Sequence, residues 1–204
     1  MVDDDCDRLR AVPPASANLV STDARDLEGV LLRSSAFFQL MAEYGDRAKV
    51  AAFEALGTTV SQALLELALP IGRLRWLAMV LGVDVNFRRL RHLDFVDKQT
   101  WRLDEAALVR EVAKQDKLPA QPLLQAELAK LSCDDPWQVC HGHDLVAILG
   151  IGLSTVLGHQ DPGPAKIGAV LRAGLTPQEF AGLQLHQDLL AWESANQPYR
   201  ALKP

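Results

Sequence analysis

Residues 140–161 read CHGHDLVAILGIGLSTVLGHQD, and this stretch decides how the rest of the chain is interpreted. Residues 145–157 are almost wholly apolar, so a helix formed by them has no strongly polar face and is expected to be buried on most sides. Gly150 and Gly152 lower helix stability by about 1 kcal/mol each, and close approach of a neighbouring helix is the expected compensation. The sequence therefore predicts a central buried helix with other helices packed around it.

The polar start of this stretch holds the best candidate metal ligands in the chain. Two of the three cysteines and two of the five histidines lie close together, as Cys133, Cys140, His141 and His143. Structural zinc sites use cysteines about two to four residues apart, whereas these two cysteines are seven apart. The alternative is a helix start with two buried thiols, polar histidines, and Asp144 accepting backbone N–H bonds. This second interpretation is preferred, so no metal and no cofactor is predicted.

Composition favours one globular domain. The chain has 204 residues, of which 49% are hydrophobic and 23% charged, and this length can bury a core that needs no disulfide. An odd number of cysteines and an acidic start in place of a secretory signal favour reduced thiols and a cytoplasmic location. The apolar run at residues 145–157 is too short to cross a membrane, so membrane association is expected only through a partner.

Apolar periodicity predicts an all-α fold, a single compact domain of about eight to ten short helices. One helix is expected over residues 22–45 and another over residues 46–56. Thr59, with a glutamine three residues later, forms a predicted capping box for the next helix. Pro70 is expected to break or restart that helix, and Gly82 to end it. Strand signals are nearly absent.

A strong local signal lies at residues 174–180, which read GLTPQEF. Gly174 suits the left-handed position that ends a helix, and Thr176 suits the N-cap of the next helix. Glu179 completes a capping box. The pattern predicts two helices that meet at a fixed corner, with the second running to about Ala195.

The predicted domain organisation has three parts. Residues 1–20 form an acidic, proline-containing flexible arm, and residues 21–195 form the helical domain, in which an amphipathic helix begins at Asp104. A boundary between two helical lobes is possible near residues 119–122, where prolines interrupt the helical periodicity of the apolar residues. Residues 196–204 form a loosely held tail.

The chain carries its charge in blocks. Residues 1–30 are acidic and the middle of the chain is rich in arginine, although the net charge is −5. The candidate partner-binding residues are Arg73, Arg75, Arg88, Arg89 and Arg91. Guanidinium groups on one exposed stretch can hold carboxylates or phosphates bidentately. The net negative charge disfavours nucleic acid, so an acidic protein surface is the expected partner, and a solvated face with intramolecular ion pairs is the alternative.

The sequence has no motif of a common enzyme class. It lacks a Gly-x-Ser-x-Gly elbow, a phosphate-binding loop, a dinucleotide fingerprint and an HExxH helix. His186 lies beside leucines on an amphipathic helix, where a hydrogen-bonded structural histidine is expected. A non-enzymatic protein is therefore preferred. The open alternatives are a metal-dependent enzyme or regulator centred on Cys133 to His143 and, less favoured, a nucleic-acid-binding protein.

Residues 74–112, LRWLAMVLGVDVNFRRLRHLDFVDKQTWRLDEAALVREV, resemble the middle of the SctK family, also called the YscK/OrgA family, of type III secretion sorting-platform proteins. In that family a Leu-rich helix with a Leu-Gly step precedes an Arg-containing helix and a further helical stretch. Residues 142–157 resemble its later glycine followed by a Leu/Ala-rich helix. The resemblance implies a helical, non-enzymatic cytoplasmic adaptor that bridges the membrane-ring protein and the pod protein of a secretion machine.

Overall fold

The apolar run at residues 145–157 forms most of the central helix of an all-α fold. The computed structural model describes residues 9, 16–114, 118 and 123–202, without the side chain of residue 123. Within these residues there are ten α-helices, which confirms the predicted fold class. In chain order they are α1 (Leu27–Leu32), α2 (Ala36–Tyr44), α3 (Arg47–Glu54), α4 (Val60–Leu81), α5 (Glu105–Ala113), α6 (Leu123–Ala129), α7 (Gly142–Ser154), α8 (Pro164–Gly174), α9 (Pro177–Ala181) and α10 (Gln184–Ala195).

Short irregular elements fill the connection between α4 and α5. Two 3-10 turns, Phe87–Arg89 and His92–Asp94, precede an antiparallel hairpin of β1 (Val96–Asp97) and β2 (Arg102–Leu103). A third 3-10 turn, Pro136–Gln138, precedes α7. Strands of two residues are too short to show the alternation that marks a strand in sequence, so the hairpin was not predicted.

Helix α7 occupies the centre of the core, as its apolar sequence predicts. It packs against α1, α4 and α8, and Leu145, Leu149 and Leu153 are completely buried. Gly150 and Gly152 of this helix do not admit a neighbouring helix, contrary to expectation. A Cβ at Gly152 would lie 2.7 Å from the Trp101 indole, and one at Gly150 would lie 2.8 Å from a carboxylate oxygen in the loop before α8. The glycines make room for side chains from two loops.

The predicted helix over residues 22–45 is interrupted. The chain is non-helical until Asp26, whose carboxylate accepts the Gly29 N–H at 3.0 Å and caps α1. A break between α1 and α2 follows, where the Ser34 hydroxyl donates to the Leu31 carbonyl. Buried residues precede α1, including Thr22, so this part of the chain enters the core without being helical.

The prediction that Pro70 breaks the chain is wrong, because α4 continues through it for 22 residues. A proline in a helix removes one backbone hydrogen bond and costs about 3 kcal/mol. Leu67, Ile71 and Leu74 are buried on either side of it, and their removal from water outweighs that cost. Tertiary burial therefore sets the length of this helix.

The two predicted ends of α4 are close to the expectation. The Thr59 hydroxyl accepts the Gln62 N–H at 3.2 Å, as an N-cap does. The Gln62 side-chain amide donates to Glu66 at 3.1 Å. It therefore does not make the second, reciprocal bond of a capping box. Gly82 ends the helix with φ of +65°, the left-handed conformation that favours glycine.

Of the two predictions for the corner at residues 174–180, the helix start is confirmed and the left-handed glycine is wrong. Thr176 and Glu179 form both bonds of a capping box. Gly174 is not left-handed but is the last residue of α8. A Cβ there would lie 2.8 Å from the Ala36 Cα, so glycine is required for the close packing of α8 on α2.

The second helix of the corner also ends earlier than predicted. It stops at Ala181, and α10 starts separately at Gln184. The Asp23 carboxylate accepts the N–H groups of Gln184 and Leu185 at 2.8 and 2.9 Å, which supplies the cap of α10 from a distant part of the chain.

Parts of the predicted domain organisation lie outside the described residues. These are the arm at residues 1–8 and 10–15 and the lobe boundary at residues 119–122. The later part of the predicted arm packs on the domain, since Asn18 accepts the Trp192 indole N–H at 2.9 Å. Glu193 in α10 accepts the N–H groups of Ala201 and Leu202 in the tail at 2.6 Å each, and residues 203–204 of the tail lie outside the described residues. No helix in the described ranges has the length and hydropathy needed to span a membrane.

Candidate functional site

The strongest electrostatic feature of the fold is a carboxylate buried at the start of α7. Asp144 is 1% exposed and accepts two hydrogen bonds from the Arg75 guanidinium. Arg75 Nε lies 2.7 Å from Oδ2, and one terminal nitrogen lies 2.9 Å from Oδ1. His92 Nε2 lies 3.0 Å from Oδ1. Three elements therefore meet at one anion: α4, the second 3-10 turn and α7. We call Asp144, Arg75 and His92 the buried ion cluster.

Asp144 does not cap α7 as the sequence suggested. His141 is the N-cap, and its Nδ1 accepts the His143 N–H at 3.1 Å. The Gly142 N–H donates to Asp26 at 2.6 Å. Because these groups satisfy the first N–H donors of the helix, the Asp144 carboxylate is left to bind the Arg75 guanidinium and the His92 ring.

The buried ion cluster keeps Asp144 ionised. Burial alone would raise its pKa, but hydrogen bonds from His92 and Arg75 and the Arg75 charge outweigh burial and hold the pKa below its ordinary value. The Arg75 guanidinium also lies over the Phe87 ring, with its carbon 4.6 Å from the ring centroid. The cluster is therefore a structural unit in which the Asp144 carboxylate is paired with the Arg75 guanidinium.

Arg75 was predicted to be a partner-binding residue, and the structure contradicts this. Its side chain is 15% exposed and its guanidinium is occupied by Asp144 and Phe87. Arg73, two residues earlier on α4, is exposed. It lines a groove between α4, α5 and α6 of about 260 Å³, opposite Glu105.

The other three predicted arginines, Arg88, Arg89 and Arg91, are all exposed. Arg91 is 78% exposed, and its Nε lies 4.0 Å from the Asp94 carboxylate, which is a weak surface ion pair. They belong to residues 87–95, which we call the anchored segment. The sequence left the exposure of the arginine cluster open, and in the structure Arg75 alone of these five arginines is turned inward.

The anchored segment is fixed to the fold at three points. Phe87 and Phe95 are buried at its two ends. His92, in the middle, points inward to Asp144 and packs against Phe95 with 5.6 Å between ring centroids. The arginines are therefore displayed on a backbone held by buried side chains.

A groove of about 210 Å³ lies beside the anchored segment. One wall is formed by the segment and the other by the loop before α8, with α7 as the floor. Its lining includes Arg91, Leu93, Ala147, Ile151, Asp161 and Pro164. The floor is apolar, and Arg91 and Asp161 supply a positive and a negative charge in the lining. The exposed Leu93 lies at the edge of the groove. This arrangement suits an apolar side chain flanked by polar groups.

The candidate metal ligands are occupied by other contacts. The Cys133 thiol donates to the Asp135 carbonyl at 3.2 Å, and the Cys140 thiol lies 3.8 Å from the Leu65 carbonyl. Burial raises the pKa of Cys140 to about 12, so its thiolate, the form that binds metals, is strongly disfavoured. Among the residues that the structure describes, no three His, Cys, Asp or Glu side chains are grouped to hold a metal ion.

The two candidate histidines lie edge to face, with 5.5 Å between their ring centroids. Burial, together with the charges of Arg75 and Arg25, lowers the pKa of His141 to about 4. His141 is therefore neutral at neutral pH. The observed role of this ring is to cap α7.

Several structural side chains carried no sequence signal. Arg25 is buried and donates to the Val139 carbonyl at 2.6 Å. Lys49 donates to the Thr155 and Gly158 carbonyls at 2.8 and 2.5 Å, at the end of α7. His186 was expected to be hydrogen-bonded, but its buried Nδ1 has no hydrogen-bond partner within the described part of the chain. Sequence patterns do not report contacts between residues so far apart.

No family model matches the chain, and neither a curated protein nor a solved structure matches it. The resemblance to the SctK family therefore stays a prediction, and the functional argument depends on the geometry of the anchored segment.

Proposed function

We propose that this protein is a non-enzymatic helical adaptor that binds an acidic protein surface through its anchored segment. One observation carries the proposal: Arg88, Arg89 and Arg91 are exposed on a segment that buried side chains hold in place. Ordering an interface loop normally reduces affinity, and a segment that is already fixed avoids much of that cost.

The chemistry of the surface defines the partner. Guanidinium groups bind carboxylates in a bidentate manner, and arginine is enriched where protein interfaces gain most of their energy. The groove beside Arg91 accepts an apolar side chain. The expected partner segment therefore carries two or more carboxylates next to an apolar residue, and its binding weakens as salt concentration rises.

The resemblance to the SctK family supplies the finer proposal. On this basis we propose that the protein lies in the cytoplasm, at a type III secretion sorting platform, in contact with the membrane-ring protein and the pod protein. Membrane association would then come through the ring protein. Arg73 and its groove between α4, α5 and α6 offer a second surface for the other partner.

The test is co-purification with the ring and pod proteins of the source organism, using three forms of the full chain. The wild type is expected to retain a partner, and the variant Arg88→Glu/Arg89→Glu/Arg91→Glu to lose it. The control variant Arg102→Glu/Lys166→Glu/Arg172→Glu makes the same charge change at exposed positions and is expected to retain it. Retention of the partner by the first variant, or no partner for the wild type, would contradict the proposal.

Two further measurements separate this function from its alternatives. Elemental analysis of protein purified without an affinity tag tests the metal-dependent alternative, which requires stoichiometric metal. Salt-dependent binding to an oligonucleotide tests the nucleic-acid alternative. The adaptor proposal predicts a negative result in both.

A further inference from the structure

A second surface, separate in sequence from the anchored segment, is formed by α2 and α3. The side of α3 away from the core is unpartnered, and none of its residues is fully buried. A groove of about 490 Å³ runs between the two helices. Its apolar lining is Met41, Ala42, Gly45, Val50 and Ala51, and its charged lining is Arg47 and Glu54.

Large apolar side chains extend this surface. Phe38 is 74% exposed and lies one helical turn before Met41, on the same face of α2 as the groove. Leu56 is 79% exposed and follows Glu54 directly after the end of α3. Exposed apolar side chains of this size next to an apolar groove are typical of an interaction surface in a soluble protein.

The charges decide which partner the surface fits. Arg47 and Glu54 are seven residues apart, which is about two helical turns, so both lie on one face of α3 with Val50 and Ala51 between them. A second α3 laid antiparallel across the first, with its two-fold axis near Val50 and Ala51, places each Arg47 opposite the other copy's Glu54. A surface with opposite charges at its two ends is complementary to itself under such a rotation.

Both charged groups are available for this pairing. Arg47 makes no ion pair or hydrogen bond with the described residues, and its side chain is exposed. Glu54 uses Oε1 to accept the Val60 N–H at 3.3 Å, and Oε2 takes no bond from the described residues.

Helix α3 is held at its start and on its inner side. Asp46 caps α3, accepting the N–H groups of Ala48 and Lys49 at 2.9 Å each. The inner side of α3 is held by Phe53, whose ring packs edge to face on Trp101 with 5.4 Å between centroids. The outer face is therefore presented in one orientation.

We propose that the α2–α3 surface is the interface of a two-fold symmetric dimer, in which a second copy of this chain packs α3 against α3 and forms two Arg47–Glu54 ion pairs. This interface uses neither the anchored segment nor its groove. The proposal therefore stands or falls independently of the adaptor function.

Sedimentation velocity of the full chain over a rising concentration series tests this. The weight-average mass of the wild type is expected to rise from that of one chain, 22.4 kDa, toward twice that value. Arg47→Glu and Glu54→Arg each place like charges opposite one another and are expected to stay at the mass of one chain. Arg102→Glu, an exposed control, is expected to behave as the wild type.

Charge swapping distinguishes a second copy from any other occupant. An equimolar mixture of the Arg47→Glu and Glu54→Arg chains pairs an acidic face with a basic one, and the Arg47→Glu/Glu54→Arg double variant restores both ion pairs. Both are expected to associate again. Because Glu54 also contacts α4, Ala51→Glu serves as a second disrupting variant, at an exposed position in the centre of the groove.

Each result bears on the proposal directly. A wild type that stays at the mass of one chain throughout the series overturns it, and so do single variants that associate as the wild type does. Loss in the single variants with recovery in the mixture supports it. Circular dichroism of every variant shows whether the helical content is unchanged.

Discussion

The arginine-rich middle of the chain divides into two sets of basic side chains that look alike in sequence and differ in structure. Arg75 and His92 point inward and share the Asp144 carboxylate at 2.7 to 3.0 Å. Arg88, Arg89 and Arg91 point outward into solvent. The difference is made by one aspartate that is 69 residues from Arg75 and 52 from His92 along the chain. A basic cluster in sequence can therefore combine buried structural side chains with exposed ones, and the position of its anion separates the two.

The largest expected effect comes from removing that anion. Asp144→Ala leaves the Arg75 guanidinium without its carboxylate in a mostly buried site, and we expect the free energy of unfolding to fall by about 3–5 kcal/mol. Urea unfolding followed by circular dichroism measures it. Glu43→Ala, an exposed acidic residue, is the control and is expected to change little. A small loss for Asp144→Ala would mean that the cluster does not stabilise the fold.

A gentler change tests the geometry of the inner cation. Arg75→Lys keeps the charge but cannot make two parallel hydrogen bonds to Asp144 or stack on Phe87, so we expect a loss of about 1.5–3 kcal/mol in the same assay. Arg73→Lys, two residues away and exposed, is the matched control and is expected to have no measurable effect. Equal losses for the two variants would show that position on α4, and not the contact with Asp144, decides the result.

The neutral state of His141 makes a further prediction, on pH. Its folded pKa of about 4 is lower than the unfolded value of 6.5, so below pH 6.5 the unfolded chain binds a proton that the folded chain does not. The free energy of unfolding is therefore expected to fall as pH decreases from 6.5 to 4. One pKa unit corresponds to about 1.4 kcal/mol, and solvent around the partly exposed ring reduces the effect of the full shift. We expect a loss of about 1–2 kcal/mol from this residue.

His141→Asn is the variant that isolates this effect, because asparagine still caps a helix and does not titrate. We expect its stability to depend less on pH between 4 and 6.5, as measured by urea unfolding at a series of pH values. His143→Asn, at the exposed neighbouring position, is expected to keep most of the slope. An unchanged slope in His141→Asn would show that another group titrates in this range.

The smallest expected effect is on the outer set. Arg88→Gln/Arg89→Gln/Arg91→Gln removes three exposed cations, and we expect the free energy of unfolding to change by no more than about 0.5 kcal/mol. The same variant is expected to lose the acidic partner in co-purification. A large loss of stability would move these arginines into the structural set and remove the basis for the adaptor proposal.

The sequence predicted best the features that depend on neighbouring residues. The Thr59 cap, the left-handed Gly82 and the Thr176 to Glu179 capping box each involve residues within four positions of one another. The burial of α7 follows from its own composition. Local chemistry is enough in each of these cases, so one sequence is enough to read them.

Features that depend on distant contacts could not be predicted from one sequence. Pro70 lies inside a helix because of burial on both sides, and α10 begins where Asp23 caps it from 161 residues away. The conversion of Arg75 from surface cation to structural cation depends on Asp144. Trp101 adopts φ of +48°, a conformation that is unfavourable for a residue with a side chain, and its indole bond to the Ile148 carbonyl at 2.9 Å holds it there.

The anchored segment displays its arginines in one arrangement because the buried ion cluster fixes it in place. Hydrogen–deuterium exchange of the backbone amides of residues 87–95 tests it directly in His92→Ala, which leaves the Arg75–Asp144 pair intact. We predict faster exchange in this segment for His92→Ala than for the wild type, and exchange like that of the wild type for the control Arg91→Ala. Equal exchange in all three proteins would contradict the claim.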